Sequence, residues 1–358
     1  MIQKGHLKVY DMLLETKGPL FIGSGRRYTK KEYCFDPSTK KAIFLDMEKF
    51  MNKVVEYGLM DQYEHFMLFR DSAYLHDFIR ECGFSDADLE KMKLYETYVG
   101  DALVENRSLM EIQEFVHDAQ NRPYVPGSSL KGALRTALLI KMILQDQDKP
   151  TVTSIRRHDA DSIETRYLHT LGLTQKTRNA VNSVMRGIMI SDSLPIDRSD
   201  MVLARKDDLS VSGVRKSINM IRESVKPGVK LHFKLTLDTS VLKAIDIDDI
   251  RDAISQFGRF YRETYIPMFR LPQNAVQEDF SDCLVLGGGS GYFAKNIIYP
   301  LCGKQEGLRL VSEFMTQTFR NHKHHEDVKL GASPHRLKHT NYHGHSYHFG
   351  VCKVLEIS

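Results

Sequence analysis

The stretch RPYVPGSSLKGALRTALL, residues 122–139, places two hydroxyls (Ser128, Ser129) and two cations (Lys131, Arg135) behind Gly127 at the start of an amphipathic run. Lys131 and Arg135 are four apart, so a helix puts them on one face. The start of a helix is its positive end, where each cation is disfavoured by about 0.3–1 kcal/mol. Cations, hydroxyls and the N–H groups left over at a helix start together suit an anion. That anion could be a nucleotide phosphate, a small metabolite or a nucleic-acid backbone. Two more loops have a similar make-up. GPLFIGSGRRYTKK (18–31) offers Gly23, Ser24 and Gly25 followed at once by Arg26 and Arg27. LGGGSGYFAKN (286–296) offers Gly287, Gly288, Gly289 and Ser290, then Tyr292 and Phe293 as rings able to stack on bases, then Lys295.

Two nucleotide motifs fail on single residues. A triphosphate loop needs G-x-x-x-x-G-K-[ST], but Gly132 is followed by Ala133. A dinucleotide fingerprint from Gly287 needs glycine where Tyr292 stands. Three cationic glycine loops fit a chain of phosphates better, and single-stranded RNA best, with backbone amides and cations on the phosphates and aromatic rings on the bases.

Alternating strands and helices must position these loops. LKVYDMLLET (7–16) reads as a strand, EYCFDPSTKKAIFLD (32–46) as a hairpin, and IQEFVHDAQNRPYVPG as a second hairpin turning near Asn121. Residues 129–144 read as a helix with an apolar stripe of Leu130, Leu134, Ala137, Leu138 and Met142. VMRGIMISDSLPI (184–196) contains a buried-type strand. GVKLHFKLTLDTS (228–240) alternates Leu231, Phe233, Leu235 and Leu237 with polar residues. A helix, a strand entering the glycine run and a closing strand, HFGVCKVLEI, follow. The expected fold is α+β: two ferredoxin-like, RNA-recognition-motif-like units, one over residues 1–220 and one over 221–358, with a mostly helical insertion at about 46–110.

The formal net charge of +4 conceals segregation. Residues 1–41 carry nine Lys/Arg and four Asp/Glu, residues 42–120 seven and seventeen, and residues 151–230 fourteen and nine. An acidic block thus sits between basic ones; it is either a solvated helical face or a face turned towards protein, away from a polyanion. Its aromatics (Tyr57, Tyr63, Phe66, Phe69, Tyr74, Phe78) are expected in a core. The N-terminal residues lack the apolar core of a signal peptide, and no apolar run spans a membrane. Five scattered cysteines without a C-x-x-C pair suggest a reduced, cytoplasmic protein.

PYVPGSSLKGALRTAL, followed far downstream by LGGGSGY and preceded by GPLFIGSG after the first strand, resembles the RAMP superfamily of CRISPR-associated proteins. The order of these motifs, the chain length and the insertion between them resemble the fifth subunits of type III-A (Csm) effector complexes. The resemblance implies a subunit that caps the complex at the guide RNA 3′ end, packs against a neighbouring backbone RAMP subunit, and contacts guide RNA, with target RNA as a further candidate partner. It also implies help in guide maturation through host ribonucleases rather than cutting. Carried over by position, the RNA-contacting residues are Gly23 to Arg27, Gly127 to Lys131, Arg135, and Gly287 to Tyr292.

An active site is not expected, and neither a cofactor nor a metal. Eight of the fifteen histidines lie between residues 322 and 348, but HKHHED and HGHSYH contain no H-E-x-x-H. His6, His158, His169 and His232 are single histidines without an identifiable partner. The superfamily's backbone subunits cut target RNA with a loop aspartate; Asp36 is the nearest counterpart, and FDPSTKK makes it a turn former first. The alternative is a guide-RNA-processing endoribonuclease with a histidine as general base.

Overall fold

The structure, a computed structural model, describes residues 1–36, 38–70, 72–103, 111–155 and 159–358. Pro37 of the first hairpin turn and His158 lie outside them. In chain order the strands are β1 (Ile2–Lys4), β2 (Leu7–Thr16), β3 (Gly23–Tyr28), β4 (Tyr33–Asp36), β5 (Lys41–Leu45), β6 (Lys93–Tyr98), β7 (Ile112–Phe115), β8 (Ile188–Ile190), β9 (Met201–Ser210), β10 (Arg215–Val225), β11 (Lys230–Asp238), β12 (Cys283–Val285), β13 (Arg336–Tyr342), β14 (His345–His348) and β15 (Val351–Ile357). The α-helices are α1 (Met47–Glu56), α2 (Met60–Phe69), α3 (Leu75–Glu81), α4 (Asp86–Met92), α5 (Gly127–Gln145), α6 (Asp159–Leu168), α7 (Ile247–Phe260), α8 (Ile298–Thr318) and α9 (Asp327–Leu330).

The first sheet has the order β12-β15-β2-β11-β8, with β1 beside β2. Tyr10, Met12 and Leu14 of β2 alternate inward, as do Leu231, Phe233, Leu235 and Leu237 of β11, and they share one core with the buried stripes of α5 and α7. The path β2-α5-β8-β11-α7-β15 places the fourth strand beside the first, then the third, then the second. This sheet positions α5, whose start is the SSLKGALR stretch.

The second sheet runs β3-β7-β10-β9-β6-β5-β4, with β13 beside β9 and β14 beside β13. β4 and β5 bury both faces. Tyr33, Ala42 and Phe44 join Tyr95 and Leu203 in one cluster, while Cys34 and Leu45 join Phe50, Val54, Phe66 and Phe78 from α1–α3 in another. The helices of the acidic block, α1–α4, therefore form an insertion with its own small core that ends at Met92, short of the expected 110, because β6 already belongs to the second sheet. Phe69 and Tyr57 depart from the expected core set: Phe69 is 71% exposed at the end of α2, and Tyr57 is 41% exposed just after α1.

The expected partition near residue 220 falls inside β10, and both sheets draw strands from either side of it: β2 pairs with β11 and β15, and β9 with β13. The hairpin expected over residues 112–127 is reduced to one bridge, His117 to Pro123. Its first strand, β7, is already flanked by β3 and β10. The strand expected at 184–196 is only three residues long; beyond it Ser191 still bonds Lys234 of β11, while Asp192 and Ser193 turn to accept from Gly127 N and Val125 N at the start of α5.

Candidate nucleic-acid interface

The three glycine loops meet. Ile22 and Gly23 from the first, Ser128, Ser129, Gly132, Ala133, Arg135, Thr136 and Leu139 from α5, and Val285, Leu286, Gly287, Gly288, Ala294, Lys295 and Ile297 from the third line one open groove of about 450 Å³. The first and third loops are stitched by backbone bonds: Gly288 N donates to Phe21 O at 2.8 Å, and Gly350 links both by donating to Pro19 O at 2.9 Å and accepting from Leu286 N at 2.8 Å. Gly287 has φ +77°, and a Cβ there would stand 2.2 Å from Phe21 O. The loops approach this closely only because residue 287 has no side chain.

Not every residue singled out in the sequence faces this groove, and several groups are already occupied. The α5 amide of Gly127 donates to Asp192 Oδ1 at 2.8 Å, so the protein's own carboxylate fills part of the helix start. Ser129 N donates to Pro126 O at 2.9 Å. The Ser24 hydroxyl donates to Glu114 Oε2 at 2.6 Å, and the Ser290 hydroxyl to Gly287 O at 2.9 Å. Arg135 reaches Glu164 at 3.3 Å across the groove rim. Lys131 is half-buried, and that burial lowers its pKa. Arg26 and Arg27 lie exposed on β3, beside Glu32 at 3.8 Å and Glu111 at 3.6 Å; neither lines the groove. Tyr292 is half-buried, and burial raises its hydroxyl to about 12. Phe293 packs its ring among Tyr265, Phe269 and Tyr299, so it is core and not a stacking platform.

Gly132 stands apart. It is inside α5, where glycine costs about 0.5–1 kcal/mol relative to alanine, and a Cβ there would meet nothing within 4 Å. No packing demands it, yet it lines the groove. Gly132→Ala is expected to raise fold stability by about 0.5–1 kcal/mol while weakening RNA binding several-fold, since the added methyl occupies groove space. Urea denaturation and RNA titration of one preparation read both effects; a gain in stability with unchanged binding would remove Gly132 from the interface.

Sequence reasoning missed the charged residues behind the loops. Arg222 on β10 is 8% exposed, its guanidinium 5.0 Å from the Phe21 ring and 5.8 Å from the Phe349 ring, with Nε donating to Gln113 Oε1 at 2.9 Å. Burial lowers its pKa to about 10. Glu114 lies below the first loop. Burial alone would raise its pKa, but His117, Ser24 and Tyr28 hold it at about 2. Beyond the groove, the Asp36 carboxylate accepts from the Ser38 hydroxyl at 2.6 Å, Thr39 Oγ1 at 2.6 Å and Ser38 N at 2.8 Å, which keeps its pKa at about 2. The histidines of 322–348 divide: His322, His325, His343 and His345 are exposed, His324, His339 and His348 buried. Burial lowers the His339 pKa to about 4, and His348 sits 2.7 Å from the Tyr261 hydroxyl.

A groove walled by three glycine loops, with α5 as the first helix of the sheet beneath it, defines a class. The chain belongs to the RAMP superfamily, whose family model matches residues 13–293. Within that class it is 28% identical over 301 residues (82% of this chain, 81% of the relative) to a Streptococcus thermophilus protein named CRISPR system Cms protein Csm5. It is 25% identical over 375 aligned positions, 98% of both chains, to a Mycobacterium tuberculosis protein of the same name. Its fold matches, with a TM-score of 0.67 at 18% identity and covering 96% of this chain and 100% of the other, a chain from the cryo-EM structure of a Csm-crRNA-target RNA ternary complex in a type III-A CRISPR-Cas system. Among the described residues no helix is long and apolar enough to cross a membrane.

Proposed function

We propose that this chain is a non-catalytic RNA-binding subunit of a type III-A RNA-guided effector complex, seated at the 3′ end of the guide beside a backbone RAMP subunit. The convergence of the three glycine loops on one groove carries this reading. Arg135 and Lys295 flank it, and the glycine walls let a sugar–phosphate chain approach closely. The β-α-β-β-α-β path of the first sheet supports a ferredoxin-like frame for one RNA-binding unit; the second sheet is read as the other. The single carboxylate among the described groove residues, Glu164, is paired with Arg135, and no histidine stands among them. That favours holding RNA over cutting it and fits a role in guide maturation in which other ribonucleases supply the cleavage.

The test is fluorescence anisotropy with labelled guide RNA across a salt series. Removing two phosphate-facing cations, Arg135→Ala with Lys295→Ala, is expected to weaken all sequences alike and to reduce the log–log salt slope by about 1.4, from about 0.7 per phosphate contact on a single strand. Guide RNA incubated with the wild-type chain in EDTA is expected to stay intact. Unchanged affinity and slope would refute the interface, and discrete cleavage would refute the non-catalytic role.

A further inference from the structure

We propose that His324, Asp327 and His335 form a binding site for a divalent transition-metal ion of the zinc class, which fastens the segment after α8 to the start of β13. Their candidate ligand atoms all lie within 4.8 Å of one another. His324 Nδ1 is 2.9 Å from Asp327 Oδ2, and His335 Nδ1 is 2.5 Å from Asp327 Oδ1. The two imidazole centroids are 4.9 Å apart.

Asp327 is fully buried, and its ion-pair partners among the described residues are these two imidazoles, with no lysine or arginine. A buried carboxylate without a fixed cation is costly unless it is paired or coordinates a metal. Two imidazoles and one carboxylate are a zinc donor set with a position left for water, and nitrogen and oxygen donors also suit cobalt or nickel. The Ser333 hydroxyl donates to Asp327 Oδ2 at 2.6 Å, as outer partners of metal carboxylates do.

The local chain holds this geometry. Lys323 (φ +56°) and Gly331 (φ +80°) turn the backbone at either side of His324 and Asp327. From α8, Ser312 Oγ donates to His324 O at 2.8 Å and Tyr299 Oη to Ser333 O at 2.8 Å. With an ion bound, each coordinating imidazole nitrogen is deprotonated and its proton sits on the other ring nitrogen. The sequence hides the site because HKHHED supplies only two of the three groups; His335 comes eight residues after Asp327.

Full-length protein without a polyhistidine tag, stripped with EDTA, is titrated with Zn²⁺ by calorimetry and with Co²⁺ by visible absorption. The expected result is one ion per chain, with Asp327→Asn and His335→Ala each weakening binding at least about tenfold. His325→Ala and His345→Ala, at exposed positions, leave it unchanged. His335 is only partly buried, so His335→Ala decides the matter if Asp327→Asn fails to fold by circular dichroism. Absence of stoichiometric binding, or equal binding by His335→Ala, overturns the proposal, as does an equal loss in His325→Ala.

Discussion

Arg198→Ala is expected to destabilise the fold by about 3–5 kcal/mol, as breaking a buried ion pair from one side does. Its partner Glu223, on β10, is 0% exposed. Arg198 Nη1 donates to Glu223 Oε1 at 3.1 Å, its Nε and Nη2 donate to Asn121 O at 3.1 and 2.5 Å, and its guanidinium lies 3.6 Å from the Tyr95 ring centroid. Thr97 Oγ1 and the Phe115 amide fill other positions on the carboxylate, at 3.0 and 3.1 Å, but bring no charge. Burial raises the Glu223 pKa above the ordinary 4.5, and Arg198 pulls it back. An acid with a raised folded pKa supports the fold below its unfolded pKa and withdraws that support as pH rises through the folded value. Without Arg198 the folded value climbs further, so the deficit of the variant is smallest in acid and widens as pH rises from 4.5. Urea midpoints at several pH values measure it. Adding Glu223→Gln to Arg198→Ala is expected to return most of the loss; a pH-independent deficit, or a double variant as weak as the single, contradicts this account.

Gly287→Ala is the second large effect, at about 3 kcal/mol. A left-handed conformation costs a non-glycine residue about 1–2 kcal/mol, and overpacking adds a comparable amount. The atom in the way is Phe21 O, 2.2 Å from the new Cβ, and it is main chain that also accepts from Gly288 N. No side-chain rotation relieves the clash, so the first and third loops must part. Thermal melting registers the loss, and RNA affinity falls with it because the walls of the groove separate. Gly132→Ala moves stability the opposite way while also weakening RNA, so the pair separates damage to the fold from damage to the interface. Wild-type RNA affinity in a folded Gly287→Ala chain would mean that the loop contact does not shape the groove.

Elements are readable where one face is dry. β11 alternates in sequence and in burial, β2 alternates in burial over Tyr10, Met12 and Leu14, and the α5 stripe is where its periodicity puts it. Ser85 caps α4 with Asp88 as its reciprocal partner, as their spacing suggests. The long β9–β10 hairpin is not legible, because ARKDDLS and RKSINMIRESV look like solvated charge. Arg205, Asp207, Arg222 and Glu223 are nonetheless buried, and a charge's burial depends on partners that arrive from elsewhere, such as Arg198 for Glu223. The three loops of the groove are legible as loops with anion chemistry. Which of their donors are already taken is not, since Asp192 on Gly127 and Glu114 on Ser24 are contacts across 65 and 90 residues.

The order of strands in the first sheet has a consequence for how the molecule is made. Its centre, β2 (Leu7–Thr16), pairs on one side with β11 (Lys230–Asp238) and on the other with β15 (Val351–Ile357), both far along the chain from it. Gly350, just before β15, is also the residue that clasps the first and third loops. The groove therefore closes only once β15 is in place, and until then β2 keeps one edge open. Pairings of such long sequence separation fold slowly and leave strand edges unprotected meanwhile. Chains in which β15 has not yet paired are thus vulnerable to aggregation, and the proposed RNA groove is acquired only with that strand.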